Sequence, residues 1–342
     1  MQEFHPDDTI NNRYKVIRKL GAGAMGSVYL CEDLVENNIK VALKVLISEN
    51  LDDQDVWAKG EYEALTRLRH PNLARVYNFG KIGDTKDYFI VSEFVKGVDL
   101  YTATEYVHYD DLNDILVQIC RALEYIHSQG YVHFDIKPDN ILVTRHKTLG
   151  LKDGSKLQYT DEEYSAQNRS VFSKPNVKLI DFGLAEKITG SFNFAIKGTL
   201  NYLAPEIING TTPDKRADLY SLGVTLYQIT NRDLPFYQDP NLNNVVRGQK
   251  RSDLFESHMK KQPEYLRTLI MKLLEEKPED RFQSAKEVIQ YINRTSGQHY
   301  DVETKETQVS YLYCPKLVGR KKELGILKDI YERIFFPRSW QS

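Results

Sequence analysis

Cysteine is scarce in this chain, and the few cysteines present lie far apart. Cys31, Cys120 and Cys314 are an odd number in 342 residues, and no two of them have the spacing of metal ligands. A disulfide-stabilised secreted scaffold is therefore excluded, and we expect free thiols in a reducing compartment.

Long apolar runs and an excess of charge of one sign are also missing. No stretch approaches the roughly 18 apolar residues that span a bilayer. The first residues, Met1 to Asp8, are too polar and acidic for a secretory signal. The 46 basic and 48 acidic residues leave a net charge of −2, which argues against a general nucleic-acid binder. We expect a cytoplasmic globular protein, long enough for one two-lobed domain or two ordinary ones.

The hydrophobic pattern changes along the chain from strands to helices. Residues 14–20, 27–31, 39–45 and 87–93 are predicted strands, and a helix from about 53 to 69 interrupts them. After a boundary at Lys96-Gly97, apolar residues recur at helical spacing. This stripe consists of Leu112, Ile115, Leu116, Ile119, Leu123 and Ile126. The pattern predicts a small β-rich unit followed by a larger helical one.

A glycine-rich turn with the pattern G-x-G-x-x-G-x-V lies between the first two predicted strands. It contains Gly21, Gly23 and Gly26 and ends at Val28. Glycines at these positions let the backbone approach phosphates closely. Dinucleotide-binding folds use a similar string, but there a helix follows. Here a strand follows, and the strand lysine Lys44 comes 18 residues after Gly26, which disfavours the dinucleotide interpretation.

Residues 133–140 and 181–183 carry the groups that phosphoryl transfer needs. Asp135 is a candidate proton acceptor, Lys137 a phosphate-binding cation, and Asn140 and Asp181 oxygen ligands suited to magnesium. Together with the glycine turn and Lys44, this order of motifs resembles a eukaryotic-type (Hanks-type) serine/threonine protein kinase, over roughly residues 10–293. The resemblance implies an α+β, bilobal protein-kinase-like fold with a small β-rich N-lobe and a larger, mostly helical C-lobe.

The resemblance also implies a nucleotide site. Lys44 would hold the α- and β-phosphates of ATP, positioned by Glu61; Glu63, two residues on, is the alternative and would point away. The backbone of Glu93 and Val95 would bind adenine, and Asp99 would bind the ribose. The small Ser92 predicts an accessible back cavity, unless a neighbouring group or a water fills the space beside its hydroxyl. The residues implied to enclose the adenine ring are Leu20, Val28, Ala42 and Leu142.

The chemical groups follow from the same resemblance. Asp135 would act as catalytic base or orient the substrate hydroxyl, and Lys137 would steady the transferred phosphoryl group, as in the serine/threonine subgroup. Asn140 and Asp181 would bind Mg²⁺, with Mn²⁺ as an alternative ion. His133 and Phe182 are interpreted as structural, stacking with Leu65.

Scaffold residues are implied as well. Thr199 would contact the catalytic aspartate and lysine, Glu206 would pair with Arg281, and Asp218 would anchor the catalytic-loop backbone.

The chain departs from the family at Phe134, where an arginine usually precedes the catalytic aspartate. That arginine pairs with phosphate on the activation segment. Without it, a phosphate on Thr189 or Ser191 has no obvious partner beside Asp135. We therefore expect an active conformation that does not need activation-segment phosphate.

Two segments exceed the minimal fold. We divide the chain into an N-terminal tail (1–9), N-lobe (10–96), C-lobe (97–296) and a final linker with a short helix (297–342). The C-lobe holds a polar insertion near 145–175, in which Asp153-Gly154 predicts a hairpin; it is either a solvated elaboration or a docking element. The stretch Leu317 to Leu324 resembles the beginning of an AAA-type ATPase module, so a regulatory domain after residue 315 is one interpretation and a helix packed on the kinase is the other.

The predicted activity is transfer of the γ-phosphoryl group of Mg·ATP to protein serine or threonine hydroxyls, with autophosphorylation. A nucleotide-binding pseudokinase scaffold is the alternative, although Lys44, Asp135, Asn140 and Asp181 are all present. A third possibility is transfer to a small-molecule hydroxyl, which the protein-substrate platform from Gly198 to Glu206 disfavours.

Overall fold

The computed structural model describes residues 3–23, 26–46, 65–85, 87–105, 107–144, 174–181, 186–187, 200–235 and 252–313. In these ranges, strands dominate the first part of the chain and helices the rest. The strands are β1 (Thr9–Ile10), β2 (Tyr14–Gly23), β3 (Gly26–Asp33), β4 (Ile39–Leu46), β5 (Val76–Lys81), β6 (Tyr88–Glu93), β7 (Val98–Asp99), β8 (Tyr131–Val132), β9 (Ile141–Thr144), β10 (Asn176–Leu179) and β11 (Glu186–Lys187). The helices are α1 (Leu100–Ala103), α2 (Tyr109–Ser128), α3 (Pro205–Ile208), α4 (Arg216–Asn231), α5 (Ser252–Lys260), α6 (Glu264–Leu273), α7 (Ala285–Thr295) and α8 (Lys305–Tyr313).

The N-terminal lobe is a six-stranded antiparallel sheet in the order β1-β2-β3-β4-β6-β5. The four predicted strands are confirmed as β2, β3, β4 and β6. Along β4, Val41, Leu43 and Val45 are buried in one core of the lobe, while Ala42 and Lys44 are partly exposed on the other face. This alternation follows from the period of two in a strand, and it directs Lys44 away from that core.

Residues 3–10 pack on this sheet, although the sequence suggests a tail. The ring of Phe4 is buried and meets the ring of Tyr29 edge-on at 5.8 Å, and the Phe4 amide donates to the Tyr29 hydroxyl at 3.3 Å. Ile10, in β1, is 1% exposed. The sequence pattern does not predict this packing. Phe4 and Ile10 lie six residues apart, and two apolar residues at that spacing show neither a helical nor a strand period.

Helix α2 lies at the centre of the helical lobe. All six residues of its predicted apolar stripe are buried, which confirms the helix. Two acidic residues, Asp110 and Asp111, occupy its first turn, where they interact favourably with the helix dipole. Helix α4 packs so closely on α6 that a Cβ added at Gly223 would lie 2.8 Å from the Leu273 Cβ. The described residues thus form the predicted bilobal fold.

The two lobes are connected by more than the chain passing from β6 to β7. An isolated bridge joins Leu73 of the N-lobe to Leu179 at the end of β10. The Leu179 amide donates to the Asn72 carbonyl at 2.9 Å, and the Ala74 amide donates to the Leu179 carbonyl at 2.8 Å. Strand β10 is therefore held by the N-lobe loop of residues 68–74, here called the back loop.

Several predicted elements lie outside the described residues. They are residues 53–64 of the predicted helix, the insertion from 145 to 173, and everything after Tyr313. The stretch from 297 to 313, expected as a polar linker, contains helix α8. None of the described helices is long and apolar enough to cross a lipid bilayer.

Candidate active site

Asp135, Lys137 and Asn140 form one hydrogen-bonded cluster at the end of β8 and the following 3-10 turn. Asp135 Oδ2 accepts from Lys137 Nζ at 2.9 Å and from Asn140 Nδ2 at 2.7 Å. The same Asn140 nitrogen donates to the Asp135 carbonyl at 2.9 Å. Asp135 and Asn140 are each 6% exposed. The structure therefore brings together three of the residues predicted for chemistry.

Asp218 anchors the backbone of the two residues that precede Asp135. It is fully buried in α4, accepts from the His133 amide at 2.9 Å and the Phe134 amide at 2.8 Å, and pairs with His127 Nε2 at 2.8 Å. The predicted anchoring role of Asp218 matches these contacts. Because charge-assisted hydrogen bonds to a buried carboxylate are strong, the loop conformation is tightly determined.

Lys44 and Asp181 make a direct ion pair between the lobes. Lys44 Nζ lies 2.7 Å from Asp181 Oδ1 and 2.6 Å from Oδ2. The side chains are 13% and 28% exposed, so the pair is partly shielded from solvent. The predicted partner of Lys44, Glu61, and its alternative, Glu63, lie outside the described residues.

One backbone hydrogen bond joins these two groups of residues. The Ile180 amide donates to the Asn140 carbonyl at 2.9 Å, which ties the residue before Asp181 to the catalytic loop. Phe134 and Asp181 both have φ of 63°. Such left-handed backbone is uncommon outside glycine and clusters at functional sites, where the surrounding structure maintains it. Sequence reasoning did not find this strain.

The glycine turn closes the sheet above β4. Its paired residues are Gly21 with Val28, Ala22 with Ser27 and Gly23 with Gly26. Gly26 has φ of 142°, and a Cβ there would lie 1.8 Å from the Val45 carbonyl oxygen. Only glycine fits at this position, whereas Gly21 and Gly23 have open space around them.

Strand register places the predicted adenine-site residues on neighbouring strands. Val28 lies opposite Lys44, and Ala42 lies opposite Ser92. Leu142 lies opposite Asp99 in the small second sheet, and Leu20 is 37% exposed on β2.

Asp99 also caps helix α1. Its carboxylate accepts from the Thr102 amide at 2.9 Å and from the Thr102 hydroxyl at 2.8 Å. The resemblance implies a ribose contact for this residue, and the structure adds a capping role that a sequence search for Asp before a helix would have found.

The predicted hinge has its own hydrogen bonds. The Glu93 carboxylate pairs with Lys178 Nζ at 2.9 Å and accepts from the Arg75 amide at 3.2 Å. The Val95 carbonyl accepts from the Gly97 amide at 3.1 Å. A carbonyl oxygen has two lone pairs, so this turn leaves acceptor capacity at Val95 for a ligand.

A buried ion pair supports the end of the segment after the site. Arg281, 2% exposed, binds Glu206 with two hydrogen bonds of 2.8 Å and also donates to the carbonyls of Glu275 and Glu276. This predicted pair is confirmed. Phe182, Thr189, Ser191 and Thr199, predicted nearby, lie outside the described residues.

Burial raises the pKa of a tyrosine close to the site. Burial, with smaller contributions from Asp139 and Asp135, raises the pKa of Tyr202 to about 12. Its hydroxyl donates to Gln228 Oε1 of α4 at 2.6 Å, which orients the side chain.

Comparison with known proteins agrees with this geometry. The family model described as protein kinase domain matches residues 14–292. A probable serine/threonine-protein kinase of Clostridium acetobutylicum is 28% identical and aligns with 88% of this chain and 42% of its own length. The serine/threonine-protein kinase PrkC of Bacillus subtilis is 27% identical over 82% of this chain and 40% of its own length. The kinase domain of Mycobacterium tuberculosis PknI has the same fold, with a TM-score of 0.58 at 24% identity, covering 86% of this chain and 100% of that domain.

The chain belongs to the protein kinase family, and it is similar to members of the eukaryotic-type serine/threonine group found in bacteria. It spans about two fifths of the length of these curated relatives.

Proposed function

We propose that this chain is an active serine/threonine protein kinase that transfers the γ-phosphoryl group of ATP to protein hydroxyls. The observation that carries the proposal is the Asp135–Lys137–Asn140 cluster, joined through the Asn140–Ile180 backbone bond to the Lys44–Asp181 pair. These charged side chains, together with the amide of Asn140, are the kinds of group that phosphoryl transfer requires.

Asp135 receives the proton of the substrate hydroxyl in this proposal. Its burial and its two donors on Oδ2 fix the carboxylate in one orientation. Lys137, 2.9 Å away, is placed to neutralise the transferred group. Lys44 binds the α- and β-phosphates, and the turn of Gly21, Gly23 and Gly26 covers them.

Asp181 and Asn140 suit a hard cation such as Mg²⁺, with Mn²⁺ as the alternative, because they provide a carboxylate and an amide oxygen. The Asn140 amide nitrogen makes both of its side-chain hydrogen bonds to Asp135, which orients the amide group. Few protein ligands suffice for Mg²⁺, since phosphates and water complete its shell. The bound ion would neutralise charge on the phosphate oxygens.

The adenine base lies between Leu20, Val28 and Ala42 on one side and Leu142 on the other in this proposal. Glu93 and Val95 provide backbone hydrogen bonds, and Asp99 binds the ribose. The cross-strand positions of Val28, Ala42 and Leu142 support the assignment.

Incubation of the purified chain with magnesium and γ-labelled ATP tests the proposal. We expect phosphoserine or phosphothreonine on the chain itself or on a basic protein, reduced by about 10² to 10⁴-fold in Asp135→Asn. Asp139→Asn is the matched control, because this carboxylate is exposed in the same turn. Retained Mg·ATP binding without transfer by the unaltered chain would instead favour the pseudokinase scaffold, or a kinase that lacks its activator.

We further propose that activity does not depend on activation-segment phosphate, because Phe134 replaces the arginine that would bind it. Phe134 is buried, and its amide is held by Asp218. The double variant Thr189→Ala, Ser191→Ala should retain kcat within about threefold. Loss of activity in that variant would refute this part of the proposal.

A cytoplasmic location is proposed on two grounds: the use of ATP, and the buried free thiols Cys31 and Cys120. Burial raises the pKa of the Cys31 thiol to about 12, so it remains an unreactive thiol. A regulatory domain after residue 315 is proposed on the short motif from Leu317 to Leu324.

A further inference from the structure

Residues 297–313, beyond the match to the kinase family, are bound to helix α2. Asn113 Nδ2 donates to Gln298 Oε1 at 3.0 Å, and Arg121 donates to the Asp301 carbonyl. Tyr300 exchanges two hydrogen bonds of 2.8 Å with the Asn293 side chain through its amide and carbonyl. This segment, which ends in α8, is therefore part of the helical lobe.

Helix α8 reaches a tyrosine that also contacts the back loop. The ring of Tyr311 meets the ring of Tyr125 edge-on, with centroids 5.4 Å apart and planes at 77°. Tyr125 is fully buried in α2, and its ring stacks with His70 at 5.2 Å. The Tyr125 hydroxyl accepts from the Arg69 amide at 3.1 Å. Tyr125 thus lies between α8 and the back loop.

The back loop continues the contact to Asp181. Asn72 Nδ2 donates to the Val177 carbonyl at 2.9 Å, and the Leu179 amide donates to the Asn72 carbonyl at 2.9 Å. Strand β10 ends at Leu179, two residues before Asp181. A continuous series of contacts therefore runs from α8 to the aspartate that pairs with Lys44.

A cavity of about 250 Å³ lies beside this series of contacts. Glu306, Val309 and Ser310 of α8 form one wall, and the back loop, Glu93 and Lys178 form the others. The cavity separates this part of α8 from the back loop, so the described contact between the two runs through the rings of Tyr311 and Tyr125.

We propose that Tyr311 is a positioning residue: through Tyr125 and the back loop it holds β10, and hence Asp181, in the geometry that phosphoryl transfer requires. Displacement of α8 then lowers activity, which makes this helix a regulatory element of the kinase. The inference rests on the proposed kinase function. It differs from that function because Tyr311 contacts neither substrate nor the reacting atoms.

Variants of Tyr311 test the proposal, with kcat and the half-saturating Mg²⁺ concentration as readouts in the full chain. Tyr311→Ala should lower kcat by about tenfold and raise the half-saturating Mg²⁺ concentration severalfold, because small displacements of reacting groups are costly. Tyr311→Phe keeps the ring and should retain both values. Gln308→Ala, at an exposed position of the same helix, is the matched control and should also be unchanged.

A purely structural role predicts a different result. Tyr311→Ala would then lower the Tm but leave kcat and the Mg²⁺ dependence unchanged below the melting range, and this outcome would overturn the proposal. Failure of Tyr311→Phe to retain activity would also overturn it, since the proposal depends on the ring contact.

Failure of the kinase function itself can be distinguished. If the unaltered chain transfers no phosphate while Mg·ATP still binds, the Mg²⁺ dependence of binding to a fluorescent ATP analogue becomes the readout. Weaker Mg²⁺-dependent binding in Tyr311→Ala, with Tyr311→Phe unchanged, would support the positioning of Asp181. Equal binding by all three proteins would refute it.

Discussion

His70 shows at the scale of one residue how burial determines a protonation state. Its Nδ1 accepts from the Asn72 amide at 3.1 Å, and its ring stacks with Tyr125. Burial, together with the positive charges of Arg121 and Lys178, lowers the pKa of His70 to about 3. The imidazole is therefore neutral at physiological pH, and its acceptor nitrogen shapes the back loop.

The lowered pKa makes stability depend on pH. The unfolded His70 titrates near 6.5, so between about pH 6.5 and 3 the unfolded chain binds a proton that the folded chain does not. This stabilising contribution is fully present above pH 6.5 and is lost as the pH falls towards 3. His70→Asn keeps an acceptor but does not titrate. The free energy of unfolding, measured in urea, should fall between pH 7 and pH 5 in both proteins. The fall should be about 2 kcal/mol smaller in His70→Asn than in the unaltered chain. Parallel pH profiles for the two proteins would contradict the assignment.

The Arg281–Glu206 pair makes a second residue-scale prediction. Arg281→Lys keeps the charge but cannot form two parallel hydrogen bonds, and it leaves buried carbonyls without their donor. We expect a loss of about 3–5 kcal/mol in the free energy of unfolding. Lys15→Gln is the comparison, because Lys15 pairs with Asp7 at the same 2.8 Å but in an exposed position. That change should cost far less stability, because an exposed ion pair is screened by solvent, and equal losses would refute the role of burial.

At the scale of the element, the β2–β3 turn distinguishes its glycines. Gly26 closes the turn against β4 with positive φ, whereas Gly23 has no neighbour that a methyl group would meet. The motif G-x-G-x-x-G does not show which of its glycines is sterically required. The structure shows it, because the Val45 carbonyl lies close to Gly26 and not to Gly23.

Alanine substitutions in the ligand-free protein should reveal the difference. Gly26→Ala combines a backbone penalty with overlap at Val45, so we expect a loss of at least about 2 kcal/mol of stability. Gly23→Ala should stay within about 0.5 kcal/mol. Chemical denaturation without nucleotide measures both, and a comparable loss in Gly23→Ala would show that the turn is constrained throughout.

At the scale of the whole molecule, nucleotide binding should stabilise the fold through both lobes. With Mg·ATP at about 100 times its Kd, the free energy of unfolding should rise by about 2.7 kcal/mol. Asp181→Asn should lose the part of this rise that depends on Mg²⁺, whereas Asp139→Asn should keep it. Thermal unfolding with ATP, with and without Mg²⁺, measures the difference. A full Mg²⁺-dependent rise in Asp181→Asn would contradict the proposed metal role.

Many elements of this fold can be predicted from the sequence, because the apolar patterns that indicate them lie within single segments. The apolar stripe of α2 and the predicted strand at residues 39–45, which is β4, appear within single segments, and both are confirmed. The Glu206–Arg281 pair and the Asp218 anchor were found through family resemblance, not through local pattern. Neither route predicted the left-handed backbone at Phe134 and Asp181 or the packing of residues 297–313, because these features depend on partners distant in sequence.

The Lys44–Asp181 pair has a consequence for how the proposed nucleotide complex forms. Before nucleotide arrives, the ammonium and the carboxylate already satisfy each other, as do Lys137 and Asp135. Binding then exchanges the partners of this ion pair. Lys44 leaves a carboxylate and binds phosphate, while Asp181 leaves an ammonium group and binds a metal ion. Because the Lys44 ammonium and the Asp181 carboxylate each replace one counterion by another, neither charge is left unpaired in the proposed complex. ATP and Mg²⁺ should consequently bind with strong mutual dependence, since either one alone would leave half of the exchange incomplete.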